Sequence, residues 1–444
     1  MKTAALKKTI STSPFIPSLC ILIALLFLRD LVGMPVPSVL FLGLTVIVAA
    51  LAEKTDVIAF CFCCIPMLNA FQTKYALWLC ILIYALRFKP KKFAIAPMAP
   101  ILFLMIWEVV HGFAGTTSLV QVLRLFTELS FCCFVMALAT EDLDFNRIIR
   151  AMSAVAVCVC VIILLSQLKQ YHYQVSTLFS GTFRLGYGVD ETQMSVGFNP
   201  NYLSYMCLCC IEGLACIVYK HQQRTADFVC ITVLGVFGLL TMSKKFILCT
   251  AAFLFLFAFC RKKKIRTLLG VAVLLVVVWL IFKQGFPSAY EALMARFEYG
   301  DLTTGRADIF AYFHEQLSQD TGLLLFGVGL QDYRYKLLTR YMSSIPHNGF
   351  QELLVMWGIP GLIAFVLFLW LMVRRAKRLN PHIRFINYVP FLVMLLNVQV
   401  TQMASSSLVC VLIAVVYLCM VSDLRPQEKE IHKNAAAARA QYVG

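Results

Sequence analysis

His347 and Asn348 stand between Pro346 and an apolar run that begins near Phe350. A neutral imidazole can take a proton from a hydroxyl group at neutral pH. At the edge of an apolar span it would meet a substrate carried by lipid. Capping of the following helix is the structural alternative for this histidine. Arg306 follows Thr303-Thr304-Gly305 and opens a run in which Ile309, Phe310, Phe313 and Leu317 recur at helical spacing. An arginine in the first turn of a helix adds a guanidinium fork to free backbone N–H groups, a combination suited to phosphate. Pairing of Arg306 with Asp301 or Asp308 is its alternative. Arg184, in Gly181-Thr182-Phe183-Arg184, has no adjacent acidic residue. Ser243-Lys244-Lys245 lies between two apolar runs, where two lysines could bind a pyrophosphate or could extend their ammonium groups toward water. One histidine and several cations, without an acidic metal-binding cluster, suit a diphosphate leaving group neutralised by Arg and Lys while the histidine activates a hydroxyl.

The elements that hold these residues are almost all apolar. The chain has 444 residues, 60% of them hydrophobic and 14% charged, against about 45–50% apolar and 25% charged in soluble domains. Apolar runs recur along the whole length and predict an all-α polytopic membrane protein with about fourteen transmembrane helices. They fall at 14–30, 36–52, 57–71, 74–87, 96–113, 118–139, 148–168, 200–219, 226–243, 245–260, 267–283, 350–373, 386–401 and 404–421. The first run, Phe15 to Leu28, is followed by Arg29-Asp30 rather than a small-residue cleavage site, so it reads as a span and not as a signal peptide.

The charge of +16 sits in short loops. Lys7-Lys8, Arg87 to Lys92, Lys220 to Arg224, Arg261 to Arg266 and Arg374 to Arg384 fall on one side if every run crosses, which makes that side the cytoplasm and both termini cytoplasmic. No nucleic-acid partner is expected from charge so distributed. Lys244-Lys245 is the exception on the outer side, and suggests another use for the charge. The chain divides into N-terminal spans (1–168), a first outer loop (169–199), central spans (200–283), a large polar, helical extracytoplasmic loop (284–349), C-terminal spans (350–421) and a tail (422–444). The 18 cysteines lie in or beside apolar runs, where a thiol behaves as a small hydrophobe, so no structural disulfide and no metal site are expected. Asn199 before Pro200 reads as a helix cap. Glu108 and Arg124 lie inside apolar runs and read as a buried pair.

The order Arg184, Asn199-Pro200-Asn201, Ser243-Lys244-Lys245, Thr304-Gly305-Arg306, Phe326-Gly327-Val328-Gly329, His347-Asn348 and Gly358-Ile359-Pro360-Gly361 resembles the O-antigen ligase and O-antigen polymerase superfamily of bacterial surface-polysaccharide enzymes. The resemblance spans about residues 180–375. It implies a GT-C-like membrane glycosyltransferase of the bacterial inner membrane, with its site on the outer face. The implied mechanism is inverting and free of metal and cofactor. The implied donor is a glycan on undecaprenyl diphosphate. The acceptor is either lipid-linked, for a polymerase, or a lipid A core or another acceptor, for a ligase, and a chain-length regulator protein is a further implied partner. Arg306 matches the family's Gly-Arg position and His347 its His-Asn position, so the resemblance makes these two catalytic. Arg184, Lys244, Lys245 and Asn348 are the implied substrate contacts. Lys244 stands where the family often has arginine, and a lysine is a point charge rather than a fork. Polymerase is the leading expectation, ligase the alternative. A transporter of lipid-linked sugars would place charges near the midplane and show internal repeats, which this chain does not clearly do.

Overall fold

The computed structural model describes residues 13–67, 73–89, 98–138, 143–179, 183–186, 199–219, 224–298, 306–331, 333, 346–380, 383–399 and 407–421. Among these the regular structure is helical and includes no strand. Thr303-Thr304-Gly305, Gly181-Thr182, Gly197-Phe198 and the tail after 421 lie outside the described residues, as do the side chains of Arg124 and Arg306.

The helices are α1 Phe15–Phe27, α2 Ser38–Leu51, α3 Lys54–Cys63, α4 Thr73–Phe88, α5 Ala99–Phe113, α6 Leu119–Leu138, α7 Phe145–Gln170, α8 Pro200–Tyr219, α9 Thr225–Leu240, α10 Lys244–Phe259, α11 Lys264–Gly285, α12 Pro287–Glu298, α13 Arg306–Gln319, α14 Thr321–Phe326, the single turn α15 Gly329–Gln331, α16 Gly349–Leu379, α17 Phe385–Val398 and α18 Ser407–Val421. Each of the fourteen apolar runs overlaps one of them, but the run at 57–71 outlasts α3, which ends at Cys63 and gives way to a 3-10 turn at Ile65–Met67. Phe15–Val32, α7, α8, α11 and α16 are long and apolar enough to cross a membrane, and shorter apolar helices accompany them. The described cysteines are free thiols, most of them buried in helix contacts.

α8 is the central helix. It packs on α7, α9, α10, α17 and α18 and buries nearly its whole surface. α11 is its opposite, apolar and exposed along its length, as a helix facing hydrocarbon can be. At one end of the bundle two ion pairs tie helix starts together. Arg150 grips Asp227 through Nε and Nη2, both at 2.8 Å, and Arg147 meets buried Asp56 at 2.7 Å.

The geometry of α16 decides the other end. Gly358 has φ 66° and ψ −167° inside this helix, and Pro360 follows two residues later. Both features break the i→i−4 ladder. The Val355 and Trp357 carbonyls would normally accept from residues 359 and 361. Here Val355 O accepts from the Val328 N–H at 3.0 Å, and Trp357 O accepts from the Trp107 indole at 3.1 Å. Bonds from neighbouring segments thus satisfy the kink, as a polar backbone group in an apolar medium requires. The Phe326-Gly327-Val328-Gly329 segment crosses α16 at this point. A Cβ on Gly327 would lie 2.5 Å from the Met356 carbonyl carbon, and one on Gly358 would lie 2.4 Å from Leu325 O. Gly327, Gly329 and Gly358 all have positive φ. Close backbone approach and left-handed backbone both demand glycine here.

Gly358→Ala combines a backbone region open almost only to glycine with a backbone clash. It is expected to cost at least about 3 kcal/mol. Gly235→Ala, in α9 with open space around its would-be Cβ, is the control and should be neutral or stabilising. Thermal unfolding in detergent compares the two; equal melting temperatures would refute the account of the kink.

Candidate functional site

Three stretches distant in sequence meet at the kinked end of the bundle. The first holds Arg184. Phe183 and Leu185 are buried and anchor it. Gln167, at the end of α7, clasps the segment through its amide, donating to Arg184 O at 3.0 Å and accepting from Gly186 N at 2.9 Å. Leu185 N donates to Leu240 O at 2.9 Å, and Arg184 Nε donates to Thr241 O at 3.2 Å. These are carbonyls at the C-terminus of α9, which lack helical partners and favour a cation. The Arg184 segment is thus anchored by hydrogen bonds to backbone carbonyls.

The second stretch is the tight turn between α9 and α10. Met242 adopts φ 50°, in the left-handed region. Ser243 then donates its hydroxyl to Asn201 Oδ1 at 3.0 Å, which fixes the turn on the first residues of α8. The Asn199 side chain accepts from Asn201 N at 3.0 Å, the capping geometry expected of it. Lys244 is half-buried at the start of α10. Lys245 is 6% exposed, and its ammonium lies 5.9 and 5.6 Å from the ring centres of Tyr202 and Tyr205. Lys245 thus turns into the bundle against two aromatic faces, whereas Lys244 remains nearer the surface.

The third stretch is the start of α16. The Asn348 side-chain oxygen accepts from Phe350 N at 3.0 Å and Gln351 N at 3.1 Å, an N-cap. Its nitrogen donates to Gln399 at 3.2 Å, to both the backbone and the side-chain oxygen. Asn348 is thereby committed to fixing the backbone beside half-buried His347. Gln351, one turn further on, donates to Phe310 O at 2.8 Å. Phe310 is one turn into α13, which begins at Arg306. The first turns of α13 and α16 are thus bonded together, and the backbone of Arg306 comes to the corner that carries His347. On α13, Phe313 and Leu317 are buried as expected of its apolar face, but Phe310 is exposed and stacks on His314.

α17 links the third stretch to the others. Its first turn lies by the end of α8, where Cys216 Sγ contacts Ile386 O at 3.8 Å. Its last turn places Asn397 beside Tyr205, near the start of α8. Gln399 follows directly and bonds Asn348. Arg184, Lys244, Lys245, His347, Asn348 and the first turn of α13 therefore share one end of the bundle.

Sequence reasoning missed how this end is braced. Glu108 is fully buried, and its two oxygens accept from Leu330 N at 2.9 Å and from the Trp357 indole at 2.6 Å. Its partners are thus Leu330, next to the glycine segment, and Trp357 at the kink; the side chain of Arg124, the partner expected from the sequence, lies outside the described residues. His111, one turn on, bonds Phe326 O at 3.1 Å and Thr116 Oγ1 at 3.0 Å. The spacing Trp107, Glu108, His111 on one helix is the signal that could have marked this brace. Among the described residues no group of three or more His, Cys, Asp or Glu could hold a metal ion.

Residues 228–366 match the O-antigen ligase family model. The matched segment runs from the start of α9 to the middle of α16. It takes in the lysine turn, α13, the glycine segment, His347-Asn348 and the kink, and it supports the O-antigen ligase and polymerase superfamily for this chain. No curated protein matches the chain. The match and the apolar helices together support a membrane protein of O-antigen ligase or polymerase type, and the matched family implies a lipid-linked glycan and an acceptor as partners in general terms.

Glu108→Gln keeps the size of the side chain but turns an amide NH2 toward one of two donors. A buried donor left without an acceptor costs about 1–3 kcal/mol. Hydrogen exchange should accelerate at the Leu330 amide in this variant and stay unchanged in α1 and α2. Unaltered exchange at Leu330 would remove Glu108 from the brace.

Proposed function

We propose that this chain is an inverting, metal-independent glycosyltransferase that joins undecaprenyl-diphosphate-linked oligosaccharide repeat units into O-antigen or capsular polysaccharide. The observation that carries the proposal is the junction of the first turns of α13 and α16, at the same end as Arg184 and Lys244. It supports one reaction centre rather than scattered charges. In this reading the fourteen apolar helices are spans of a GT-C-like fold in the bacterial inner membrane. Both termini are cytoplasmic, and the His347 end faces outward.

His347 takes the proton of the acceptor hydroxyl as the oxygen attacks the anomeric carbon from the face opposite the diphosphate. The bond to the diphosphate oxygen breaks and the configuration inverts. Negative charge grows on the leaving diphosphate, and Arg306, Arg184 and Lys244 stabilise it. Helix termini contribute too, because Arg306 stands where α13 presents free N–H groups. Lys245, deeper and against Tyr202 and Tyr205, adds positive potential from below. Asn348 serves through His347, whose backbone it caps. Held in a medium of low dielectric, such charges act more strongly than they would in water.

The second reading is a ligase that moves the finished glycan to lipid A core or another acceptor. The description of the matched family favours it. A transfer assay with purified protein separates the two. A ladder of longer lipid-linked glycans from the repeat unit alone is expected of a polymerase. Product formed only after lipid A core is added would establish the ligase. His347→Ala should lower either transfer by about 10²–10⁴-fold, the usual contribution of a general base. Arg306→Lys should lose most of the rate, because a point charge replaces a fork. Full activity in His347→Ala would overturn the mechanism, and no product under either condition would overturn the enzyme reading.

A further inference from the structure

The centre of the bundle holds a polar stripe that the transfer mechanism does not use. On α8, Tyr205, Cys209, Glu212 and Cys216 recur at spacings of three and four and share one face. All four are 1–2% exposed. Lys245 stands at the top of this stripe, with its ammonium over the Tyr205 ring. Cys249, one turn deeper on α10, is buried beside it. α17 supplies buried Asn397 at one end of the stripe and buried Asn387 at the other, and α18 supplies Cys419. Glu212 lies twelve residues into α8, about 18 Å below its start and near the middle of a bilayer some 30 Å thick.

The hydrogen bonding of this stripe is incomplete. Tyr205 Oη, Glu212 Oε1, both polar atoms of the Asn397 side chain and Asn387 Oδ1 are buried without a partner. The Tyr205 hydroxyl has the Asn397 amide and the Cys209 thiol as its nearest polar neighbours, with no bond of good geometry to either. Asn387 spends its nitrogen on Cys419 O at 2.9 Å and leaves its oxygen over. Glu108, a second carboxylate buried in an apolar helix, has both oxygens occupied. Leaving so many groups dry would carry a penalty comparable with the net stability of a domain. Buried polar atoms without partners, grouped on facing helices, are what an internal water satisfies. No metal-binding cluster occurs among the described residues, so the donor set fits water.

We propose that α8, α10, α17 and α18 enclose a file of internal water that runs from Lys245 and Asn397 to Glu212 and ends at Asn387. Water in the file bridges Tyr205 to Asn397 and reaches the free oxygen of Glu212. It links the buried lysine ammonium to a carboxyl group deeper in the bundle, so that the positive charge beneath the reaction end is solvated from within. The inference stands apart from the glycosyl-transfer reading, since it concerns hydration rather than turnover.

Radiolytic hydroxyl labelling in isotope-labelled water, on the full chain in nanodiscs, tests it without an activity measurement. Bound water makes radicals in place, so buried residues beside it are oxidised. Cys209 should label about tenfold faster than Cys63, which is equally buried but outside the stripe. Asn397→Leu and Glu212→Leu, checked for unchanged melting, should each bring Cys209 down to the rate of Cys63. Equal labelling of Cys209 and Cys63 in the wild type would show a dry stripe and overturn the proposal, whether or not the variants fold. Fast Cys209 labelling that persists in both folded variants would overturn it as well, because the water would then be held by other groups.

Discussion

A helix broken inside an apolar medium must find new partners for the carbonyls it frees, and the functional end of this protein is organised around that requirement. Gly358 and Pro360 break α16, and Val328 N–H and the Trp107 indole take over two of its carbonyls. Both replacements come from within the protein, as a broken helix in an apolar medium requires. The break therefore dictates that a glycine segment lies across α16 and that α5 stands beside it. Glu108 of α5 closes the arrangement by accepting from Leu330 N, just after the glycine segment, and from the Trp357 indole of α16. The N-terminal part of α16, with His347 at its tip, takes its direction from this brace.

At the tip, charge is held by backbone geometry. Arg184 is bound to the carbonyl end of α9, and Arg306 stands at the N–H end of α13. Lys245 rests on two aromatic rings. Helix ends and ring faces hold a cation in place and leave its charge effective. Asn348 and Gln351 add the positional element. One caps α16 and ties it to Gln399, and the other fastens it to α13.

The two ends of the bundle differ in how they are tied. Arg150 with Asp227 and Arg147 with Asp56 close one end by ion pairs. The other end is held by Arg184 on the carbonyl end of α9, by the Glu108 brace and by close backbone contact.

The sequence by itself determined the helical segments and the residues with chemical potential. Apolar runs in a chain this hydrophobic have few structural outcomes, and the described parts of all fourteen contain helix. The caps at Asn199 and Asn348 and the buried face of α13 follow from local rules that act within one or two turns. Phe310 departs from that face because an exposed aromatic ring costs little where a helix lies at the rim of the bundle. Only the tertiary structure decided what Glu108 does and why Phe326-Gly327-Val328-Gly329 and Gly358-Ile359-Pro360-Gly361 belong together. Their connection is a backbone crossing between segments some thirty residues apart, braced by a third segment more than two hundred residues away. Periodicity carries no record of such a contact, since it depends on which broken carbonyl lies nearest which free donor after the helices have packed.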